Sequence, residues 1–455
     1  MSAKLDVVIL AAGKGTRMYS KTPKVLHKLA GRSMVEHVID RALELDPRSI
    51  TLVLGHEAEL IEKQLGHYDL KYALQQEQKG TAHAVEQALP YLDDEAMALV
   101  LYGDVPMIEA QSLQKLLVCT DKDSMAVLTC VMNDPSGLGR ILRDEKGKVK
   151  AIVEEKDASA EQKVIAEINT GIMAFPVKRL KAWLPLIKNN NAQNEYYLTD
   201  IIELALADGA AVNSQSCNSE TEASGVNNMV QLATLERAYQ QNKARELMLK
   251  GVSLRDPKRF DCRGDIDIAG DVKIDINVIL EGKVIIEEDV VIGPNCVLKN
   301  CTLKKGTQVM ANSVIEDAEI GQHCSIGPFA RIRPGTLLED EAKIGNFVET
   351  KKAHIGSGSK VNHLSYIGDT ELGKGVNIGA GSITCNYDGV NKFKTIIGDN
   401  VFIGSNSALV APVTVAQGAT VGAGSTITKD VASGELALSR VKQSNIKGWK
   451  RPTKK

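Results

Sequence analysis

Hydrophobic and polar positions follow two different patterns along the chain, with the change near residue 250. In the first part, short apolar runs rich in β-branched residues alternate with segments of helical spacing. The apolar runs cover 5–10, 50–54 and 97–101, and the helical segments cover 33–45 and 81–92. This alternation is typical of buried parallel strands joined by crossover helices. It predicts a doubly wound, Rossmann-like α/β domain.

In the second part, aliphatic residues recur every six positions. The period is clearest in one uninterrupted run: Ile320, Ile326, Ile332, Leu338 and Ile344. Six residues match neither a helical repeat nor simple strand alternation, but they are typical of a parallel β-helix in which three hexads close one triangular coil. Residues 264–436 would then form about nine or ten coils.

The six-residue register is interrupted at three places: between 344 and 355, between 367 and 372, and between 378 and 397. The third gap contains Cys385-Asn-Tyr-Asp-Gly389, which we expect to loop outward. Loops on repeat scaffolds often carry function. A lone histidine on such a scaffold is more often an inert surface group, but His363 lies beside these gaps, which makes it a candidate base.

Residues 228–250 contain neither proline nor glycine and have helical periodicity. We therefore predict three parts: an α/β domain over 1–227, a helical linker over 228–250, and a β-helix domain with a basic C-terminal tail over 251–455. A protein-binding role for the helix remains open.

Composition narrows the class of protein. Hydrophobic residues make up 43% of the chain and charged residues 25%, which excludes disordered and fibrous classes. A net charge of −2 gives no general attraction to nucleic acid or membrane, so neither is expected as a partner. The eight cysteines form no C-x-x-C pair. Without a signal-peptide pattern, they suggest reduced thiols in the cytoplasm.

Two features follow the predicted strands of the first part. The loop Leu10-Ala-Ala-Gly13-Lys-Gly-Thr-Arg-Met18, with Lys24 beyond it, allows phosphate oxygens to approach the backbone closely. It matches neither a P-loop nor G-x-G-x-x-G, and a tight strand-to-helix turn is the alternative. Asp104 follows the run 97–101 and is placed to bind Mg²⁺. Its alternative is an Asx turn before Pro106.

These residues resemble the signature of sugar-1-phosphate nucleotidyltransferases. The similarity extends to the uridyltransferase half of a bifunctional family that joins an N-acetylglucosamine-1-phosphate uridyltransferase to a glucosamine-1-phosphate N-acetyltransferase. It rests on these further motifs: Pro23-Lys24, Gln75-Gln-Glu-Gln-Lys-Gly80-Thr81-Ala82, Tyr102-Gly103-Asp104, Gly137-Leu-Gly139-Arg, Val153-Glu154-Glu-Lys, Glu167-Ile-Asn169-Thr-Gly, Asn194-Glu-Tyr-Tyr-Leu-Thr-Asp200 and Gly225-Val-Asn227-Asn.

The resemblance implies a set of roles in the first part. It assigns the uridine nucleotide to Leu10, Ala11, Ala12, Gly13, Gln75, Gly80 and Thr81, with Lys24 near the phosphates. It assigns the lining of the site and the contacts to the sugar nucleotide to Tyr102, Gly103, Asp104, Gly139, Glu154, Asn169 and Asn227. Magnesium is assigned to Asp104 and Asn227.

The second part resembles the acetyltransferase half of the same family. The matching motifs are Lys360-Val-Asn-His-Leu-Ser-Tyr366, Asn377-Ile-Gly-Ala-Gly-Ser-Ile-Thr-Cys-Asn-Tyr-Asp-Gly389 and Asn391-Lys-Phe-Lys-Thr395. The resemblance implies a left-handed β-helix with His363 as general base. It assigns the sugar phosphate to Arg333, Lys351, Tyr366 and Asn377. Acetyl-CoA is assigned to Ala380, Asn386, Tyr387, Ser405, Ala423 and Arg440.

The implied activity is bifunctional. A homotrimer would acetylate glucosamine-1-phosphate with acetyl-CoA and then transfer UMP from UTP, with Mg²⁺, to give UDP-N-acetylglucosamine for peptidoglycan and lipopolysaccharide synthesis. One alternative is a single-function sugar-1-phosphate nucleotidyltransferase whose β-helix is only an oligomerisation module. Another is a non-catalytic scaffold that keeps the nucleotidyltransferase fold. His363 and the loop with Asn386 and Tyr387 argue against the first alternative, whereas Lys24, Asp104 and Asn227 argue against the second.

Overall fold

The computed structural model describes residues 4–55 and 57–454. It separates into two compact units, Met1–Tyr239 and Gln240–Lys455. The division falls inside the helix Met229–Leu249, which corresponds to the predicted linker. The outer ends of the two predicted domains, residues 1–3 and Lys455 of the basic tail, lie outside the described residues. The three-part division stays a prediction.

The first unit is built on a mixed sheet with parallel strands at its centre. Its main path runs, in spatial order, through Ala211–Ser216, Ser124–Val131, Glu167–Pro176, Met97–Tyr102, Leu5–Ala11, Ser49–Leu54 and Lys71–Leu74. Branching from Glu167–Pro176 are the antiparallel strands Arg140–Arg143 and Val149–Val153. A separate antiparallel pair joins Lys28–Leu29 to Arg32–Ser33. The three predicted strands are confirmed, each within one residue at either end.

Strand Leu5–Ala11 is buried along its whole length and is parallel to both of its neighbours. Its successive side chains alternate between two separate cores, because strand side chains point to opposite faces. Val8 belongs to one core, and Val7 and Ile9 belong to the other. The continuous apolar run is therefore what a strand needs when both of its faces are covered.

Helices alternate with the strands of the first unit along the chain, and a longer helix follows the last strand. The α-helices are Met34–Leu43, Ala58–Leu65, Thr81–Ala88, Ala110–Val118, Ala160–Lys163, Val177–Trp183, Ile201–Ala207 and Met229–Leu249. The 3₁₀ turns are Thr16–Met18, Lys24–Leu26, Leu89–Tyr91, Leu184–Leu186, Leu198–Asp200 and, in the second unit, Pro257–Arg259. Helix Met34–Leu43 begins at a capping box, in which the side chains of Ser33 and Glu36 satisfy each other's backbone N–H groups.

The second unit is a parallel β-helix with three faces. The first face is formed by Ser253–Leu254, Lys273–Ile274, Val291–Ile292, Gln308–Val309, Ser325–Ile326, Lys343–Asn346, Lys360–His363, Asn377–Ile378, Phe402–Ile403, Thr420–Val421 and Leu436–Ala437. Six longer strands bend across the second and third faces: Phe260–Ile268, Val278–Ile286, Val297–Leu303, Val314–Ile320, Glu349–Ile355 and Tyr366–Leu372.

Shorter strands complete the two remaining faces. The second face adds Arg331–Ile332, Ile383–Cys385, Ala408–Val410 and Thr426–Ile427. The third face adds Thr336–Leu338, Thr395–Ile397 and Val413–Val415. The predicted β-helix of hexapeptide repeats is confirmed.

Coil length is nearly constant, and this keeps the interior in register. Ile326 pairs with Ile344, and Ile344 pairs with Val361, so successive coils advance by 18 and then 17 residues. The aliphatic side chains therefore stack on those of the next coil and form one continuous buried cluster.

The structure explains the first and third gaps in the six-residue register. Thr350 and Thr384 are buried and stand at interior positions, where they pair with the neighbouring coils in place of aliphatic residues. Thr350 Oγ1 hydrogen-bonds to Thr336 Oγ1 at 3.2 Å, so this polar substitution is satisfied. Only the third gap adds chain: Ile378 pairs with Ile403, 25 residues on, and residues 387–392 are exposed. The predicted outward loop is confirmed.

The first coil is anchored by a buried side chain of the helix Met229–Leu249. Gln240 is 1% exposed. Its Nε2 donates to the Cys262 carbonyl at 2.8 Å, and its Oε1 accepts from the Cys262 N–H at 2.7 Å. The Gln240 amide thereby pairs with the Cys262 backbone as a strand of a preceding coil would.

We expect Gln240→Leu to destabilise the second unit by about 2–4 kcal/mol, because two buried backbone groups of Cys262 would lose their partners. Urea unfolding monitored by circular dichroism measures the change. Gln241→Leu, on the exposed side of the same helix, serves as the control. Equal stabilities for the two variants would contradict the anchoring role.

Candidate functional site

The loop after strand Leu5–Ala11 lines a cavity of about 280 Å³. Its wall includes Ala12, Gly13, Lys14, Pro23 and Lys24. The strand leads into a short 3₁₀ turn, Thr16–Met18, rather than directly into a long helix. The cavity is therefore a backbone-lined recess with a cationic rim, which suits the phosphates of a nucleotide.

Three of the predicted residues meet at this edge of the sheet. The Lys24 ammonium group forms an ion pair with Asp104 and donates to Asn227 Oδ1 at 2.8 Å. The side chains of Lys24 and Asp104 are only 12% and 21% exposed. Arg17 Nη2 donates to the same Asn227 oxygen at 2.9 Å. The carboxylate of Asp104 thus engages a cation, rather than forming the Asx turn that was its alternative.

The donor set fits a magnesium ion. Asp104 offers a carboxylate oxygen and Asn227 an amide oxygen, and one ammonium group contacts both. Mg²⁺ prefers such hard oxygen ligands and completes its shell with water and substrate phosphates. Clusters of three or more His, Cys, Asp or Glu suited to a metal are absent from the described part of the chain. A two-residue site completed by substrate is therefore the form that the residues support.

Tyr102 lies between this cluster and a second group of predicted residues. Burial raises the pKa of Tyr102, with smaller contributions from the negative charges of Glu154 and Asp104. The Tyr102 ring lies against Gly171, whose φ of 83° and lack of a Cβ allow the close approach. Burial also raises the pKa of Glu154, whose Oε1 accepts from Thr199 Oγ1 at 3.2 Å.

Asn169 and Gly139 complete this second group. Asn169 N donates to the Gly139 carbonyl at 2.8 Å, and Asn169 Oδ1 accepts from Gly171 N at 2.9 Å. The glycine at 139 lies directly against the Glu154 carboxylate. The predicted sugar-contacting residues of the first unit therefore lie together, with Asn227 in the neighbouring Lys24 cluster.

Gln75, Gly80 and Thr81 lie beyond the carboxyl end of strand Lys71–Leu74. Gln75 is 4% exposed, and its Nε2 lies 3.1 Å from the Gly80 carbonyl and 3.0 Å from His83 Nδ1. With both amide protons engaged, Gln75 Oε1 remains as an acceptor. His83 was not among the residues predicted from the sequence. The signal in the sequence was its position eight residues after Gln75, in the first turn of the helix that begins at Thr81.

In the second unit, His363 ends a strand of the first face and is exposed. Its Nδ1 is 2.9 Å from Asn346 Oδ1 on the preceding coil. On later coils the same corner is occupied by Ala380, Ser405 and Ala423. Backbone hydrogen bonds between successive coils show this: Gly381 N donates to His363 O, Asn406 N to Ala380 O, and Gly424 N to Ser405 O. We call Asn346, His363, Ala380, Ser405 and Ala423 the corner column.

Arg440 reaches the far end of the corner column. Its Nη1 donates to the Ala423 carbonyl at 2.8 Å. Asn377 stands three residues before Ala380 on the first face. Most of the residues predicted for acetyl-CoA therefore follow one line that starts at His363.

Three of the four residues predicted for the sugar phosphate, Arg333, Lys351 and Tyr366, lie on or beside the second face, whereas Asn377 lies on the first. Arg333 Nη1 donates to Glu349 Oε1 at 2.6 Å, and the Tyr366 hydroxyl lies near the Arg333 guanidinium. The pKa of Lys351 is lowered, first by the positive charge of Lys392 and then by that of Arg333. Three cations thus converge beside the carboxylates of Glu349 and Asp369, which makes this part of the second face a candidate anion site. Lys392, in the outward loop, is a site residue that the sequence analysis missed.

Asn386 and Tyr387 lie at the other edge of the second face. Asn386 Nδ2 donates to Asp369, and the Tyr387 hydroxyl donates to the Gly389 carbonyl. His363 stands at the corner before this face and Asn386 at the corner after it. Within one chain, the six predicted acetyl-CoA residues therefore form two groups, rather than one.

Models of known protein families match parts of both units of the chain. Residues 7–167 match the MobA-like NTP transferase domain, residues 262–349 the GMPPB C-terminal domain, and residues 394–429 the hexapeptide repeat of succinyl-transferase. The chain is thus an enzyme with a nucleotidyltransferase unit and a hexapeptide-repeat acyltransferase unit.

Relatives that match over their full length show which family the chain belongs to. Bifunctional protein GlmU of Cellvibrio japonicus is 58% identical over 99% of this chain and 100% of its own length. The proteins of the same name from Stutzerimonas stutzeri and Marinobacter nauticus are 57% and 55% identical, each over 99% of this chain and at least 99% of their own length. The chain belongs to the bifunctional GlmU family.

We expect Lys392→Met to weaken phosphate binding to the second unit about threefold to tenfold, because it removes one of three converging cations. Titration with inorganic phosphate, followed by ³¹P NMR, measures the affinity. Lys394→Met is the matched control, since Lys394 pairs with Glu371 instead. Equal affinities for the two variants would show that Lys392 contributes nothing to anion binding.

Proposed function

We propose that the chain makes UDP-N-acetylglucosamine in two steps at two sites. The second unit acetylates glucosamine-1-phosphate with acetyl-CoA, and the first unit transfers UMP from UTP to the product and releases pyrophosphate. The observation that carries the proposal is that one chain combines the Lys24–Asp104–Asn227 cluster with the His363 corner column. Membership of a bifunctional family supports the same conclusion.

Uridyl transfer needs positioning and charge neutralisation more than a covalent nucleophile. A phosphate oxygen of the sugar attacks the α-phosphorus of UTP, and the bond to the pyrophosphate oxygen breaks. Lys24 and Arg17 neutralise the developing negative charge, while the loop around Gly13 receives the phosphates. Mg²⁺, held by Asp104 and Asn227, supplies further charge neutralisation when bound.

Base selection follows from Gln75. Its Oε1 is left to accept a hydrogen bond because Gly80 and His83 engage its two amide protons. Uracil presents an N3–H donor, whereas cytosine presents an acceptor at N3. A fixed acceptor therefore favours UTP over CTP.

Acetyl transfer needs a base and an anion site. His363 removes a proton from the 2-amine as the nitrogen attacks the thioester carbonyl. Arg333, Lys351 and Lys392 hold the sugar phosphate beside it. The corner column and Arg440 provide a path for the extended CoA chain.

A homotrimer through the β-helix is part of the proposal. Phe329, Phe347 and Leu364 form an exposed apolar stripe at the corner that carries His363, and the two phenylalanine rings stack with centroids 5.3 Å apart. A second copy of the chain would cover this stripe. It would also bring together the two groups of acetyl-CoA residues, which one chain keeps on different corners.

The proposed setting is the cytoplasm, where UTP and acetyl-CoA are available. The eight cysteines are free, which agrees with a reducing compartment. Helices long and apolar enough to span a membrane are absent from the described residues.

Two variants separate the sites. His363→Ala is expected to lower acetyl transfer about 10²- to 10⁴-fold and to leave uridyl transfer unchanged. Asp104→Ala should have the opposite effect, because it removes the carboxylate that pairs with Lys24. Free CoA thiol and pyrophosphate release are measured separately. Unchanged acetylation in His363→Ala would support the single-function alternative, whereas unchanged Mg²⁺-dependent turnover in Asp104→Ala would remove the first assignment.

A further inference from the structure

We propose that Asn346 is a positioning residue for His363, fixing the imidazole so that Nε2 is the atom that accepts the substrate proton. The inference rests on the proposed acetyl transfer and extends it to a residue that does not touch substrate. Asn346 Oδ1 and His363 Nδ1 are 2.9 Å apart. The two residues pair in register on successive coils, so the coil repeat itself places one side chain against the other.

The chemistry of the pair selects one tautomer. A neutral imidazole has one nitrogen that donates and one that accepts, and an amide oxygen only accepts. Asn346 Oδ1 therefore requires the proton on Nδ1 and leaves the lone pair on Nε2. As the amine nitrogen bonds to the thioester carbonyl, Nε2 takes its proton. When the carbon–sulfur bond breaks, the same proton passes to the departing thiolate.

Backbone contacts hold the pair in place. The His363 carbonyl accepts from Ser365 Oγ at 2.8 Å and from Gly381 N at 3.3 Å. The Asn346 carbonyl accepts from Leu364 N at 3.1 Å. With both backbones tied to adjacent coils, the hydrogen bond to Asn346 controls the remaining rotation of the imidazole ring.

A carboxylate on the same coil is already engaged. Glu349, three residues after Asn346, accepts from Arg333 at 2.6 Å. The partner of His363 is therefore a neutral amide. An amide orients the ring without placing a negative charge beside it.

The test compares Asn346→Ala, Asn346→Asp and His363→Ala in the full-length protein, with Asn362→Ala as a neighbouring control. Asn346→Ala is expected to lower kcat for acetyl transfer about 10- to 100-fold, with each KM within about twofold, because only orientation is lost. Asn346→Asp should retain most of kcat above pH 8. Its new charge should move the acid limb of the kcat/KM profile upward by about one pH unit. Circular dichroism of every variant reports on folding, and uridyl transfer reports on the first unit alone.

The outcomes distinguish this inference from the proposal beneath it. An inactive His363→Ala together with a fully active Asn346→Ala overturns the positioning role alone. A loss in Asn346→Ala that appears in KM rather than kcat, or an Asn346→Asp profile that does not shift, also overturns it. Undiminished acetylation in His363→Ala removes the base itself, and the positioning role with it.

Discussion

Coil closure is the constraint on which the second unit depends. Each coil must return to the same three faces after 17 or 18 residues, because its backbone groups pair with those of the coils on either side. The stacked aliphatic residues fill the interior and fix this repeat. The same constraint places residues far apart in sequence in one outward column, and the proposed catalytic machinery uses that column from Asn346 to Ala423. Where eight residues are added to the preceding coil's 17, between Ile378 and Ile403, the excess leaves the coil as an exposed loop that carries Lys392.

The first unit obeys a different constraint. Its central strands are parallel, so their carboxyl ends lie on one edge, where ligands of α/β sheets bind. Lys24, Asp104 and Asn227 come from segments 80 and 203 residues apart, yet they meet at that edge. The two units therefore position charge by different means. The first unit brings loops together beyond the ends of its strands, whereas the second unit places the same corner of successive coils in one column.

Much of this organisation could be predicted from the sequence because it depends on periodicity. The apolar runs 5–10, 50–54 and 97–101 and the six-residue register correspond to buried strands and stacked interiors. Thr350 and Thr384 interrupt the aliphatic pattern, which does not reveal a buried threonine whose hydroxyl is satisfied by a neighbouring coil. The antiparallel strand Glu167–Pro176 also escaped prediction, since pairing direction is set by long-range contacts. The family resemblance assigned the site residues but not Asn346, His83 or Lys392, whose partners become visible only in three dimensions. For Asn346, the 17-residue spacing to His363 was a usable signal.

Two sites that act in sequence on one sugar phosphate should each leave a distinct product. The most direct measurement is product analysis after incubation with glucosamine-1-phosphate, acetyl-CoA, UTP and Mg²⁺, with each omitted in turn. The account predicts UDP-N-acetylglucosamine only in the complete mixture, N-acetylglucosamine-1-phosphate without UTP, and restored product without acetyl-CoA when N-acetylglucosamine-1-phosphate is supplied. Failure to form N-acetylglucosamine-1-phosphate, or efficient conversion of glucosamine-1-phosphate to its uridine diphosphate derivative without acetyl-CoA, would contradict it.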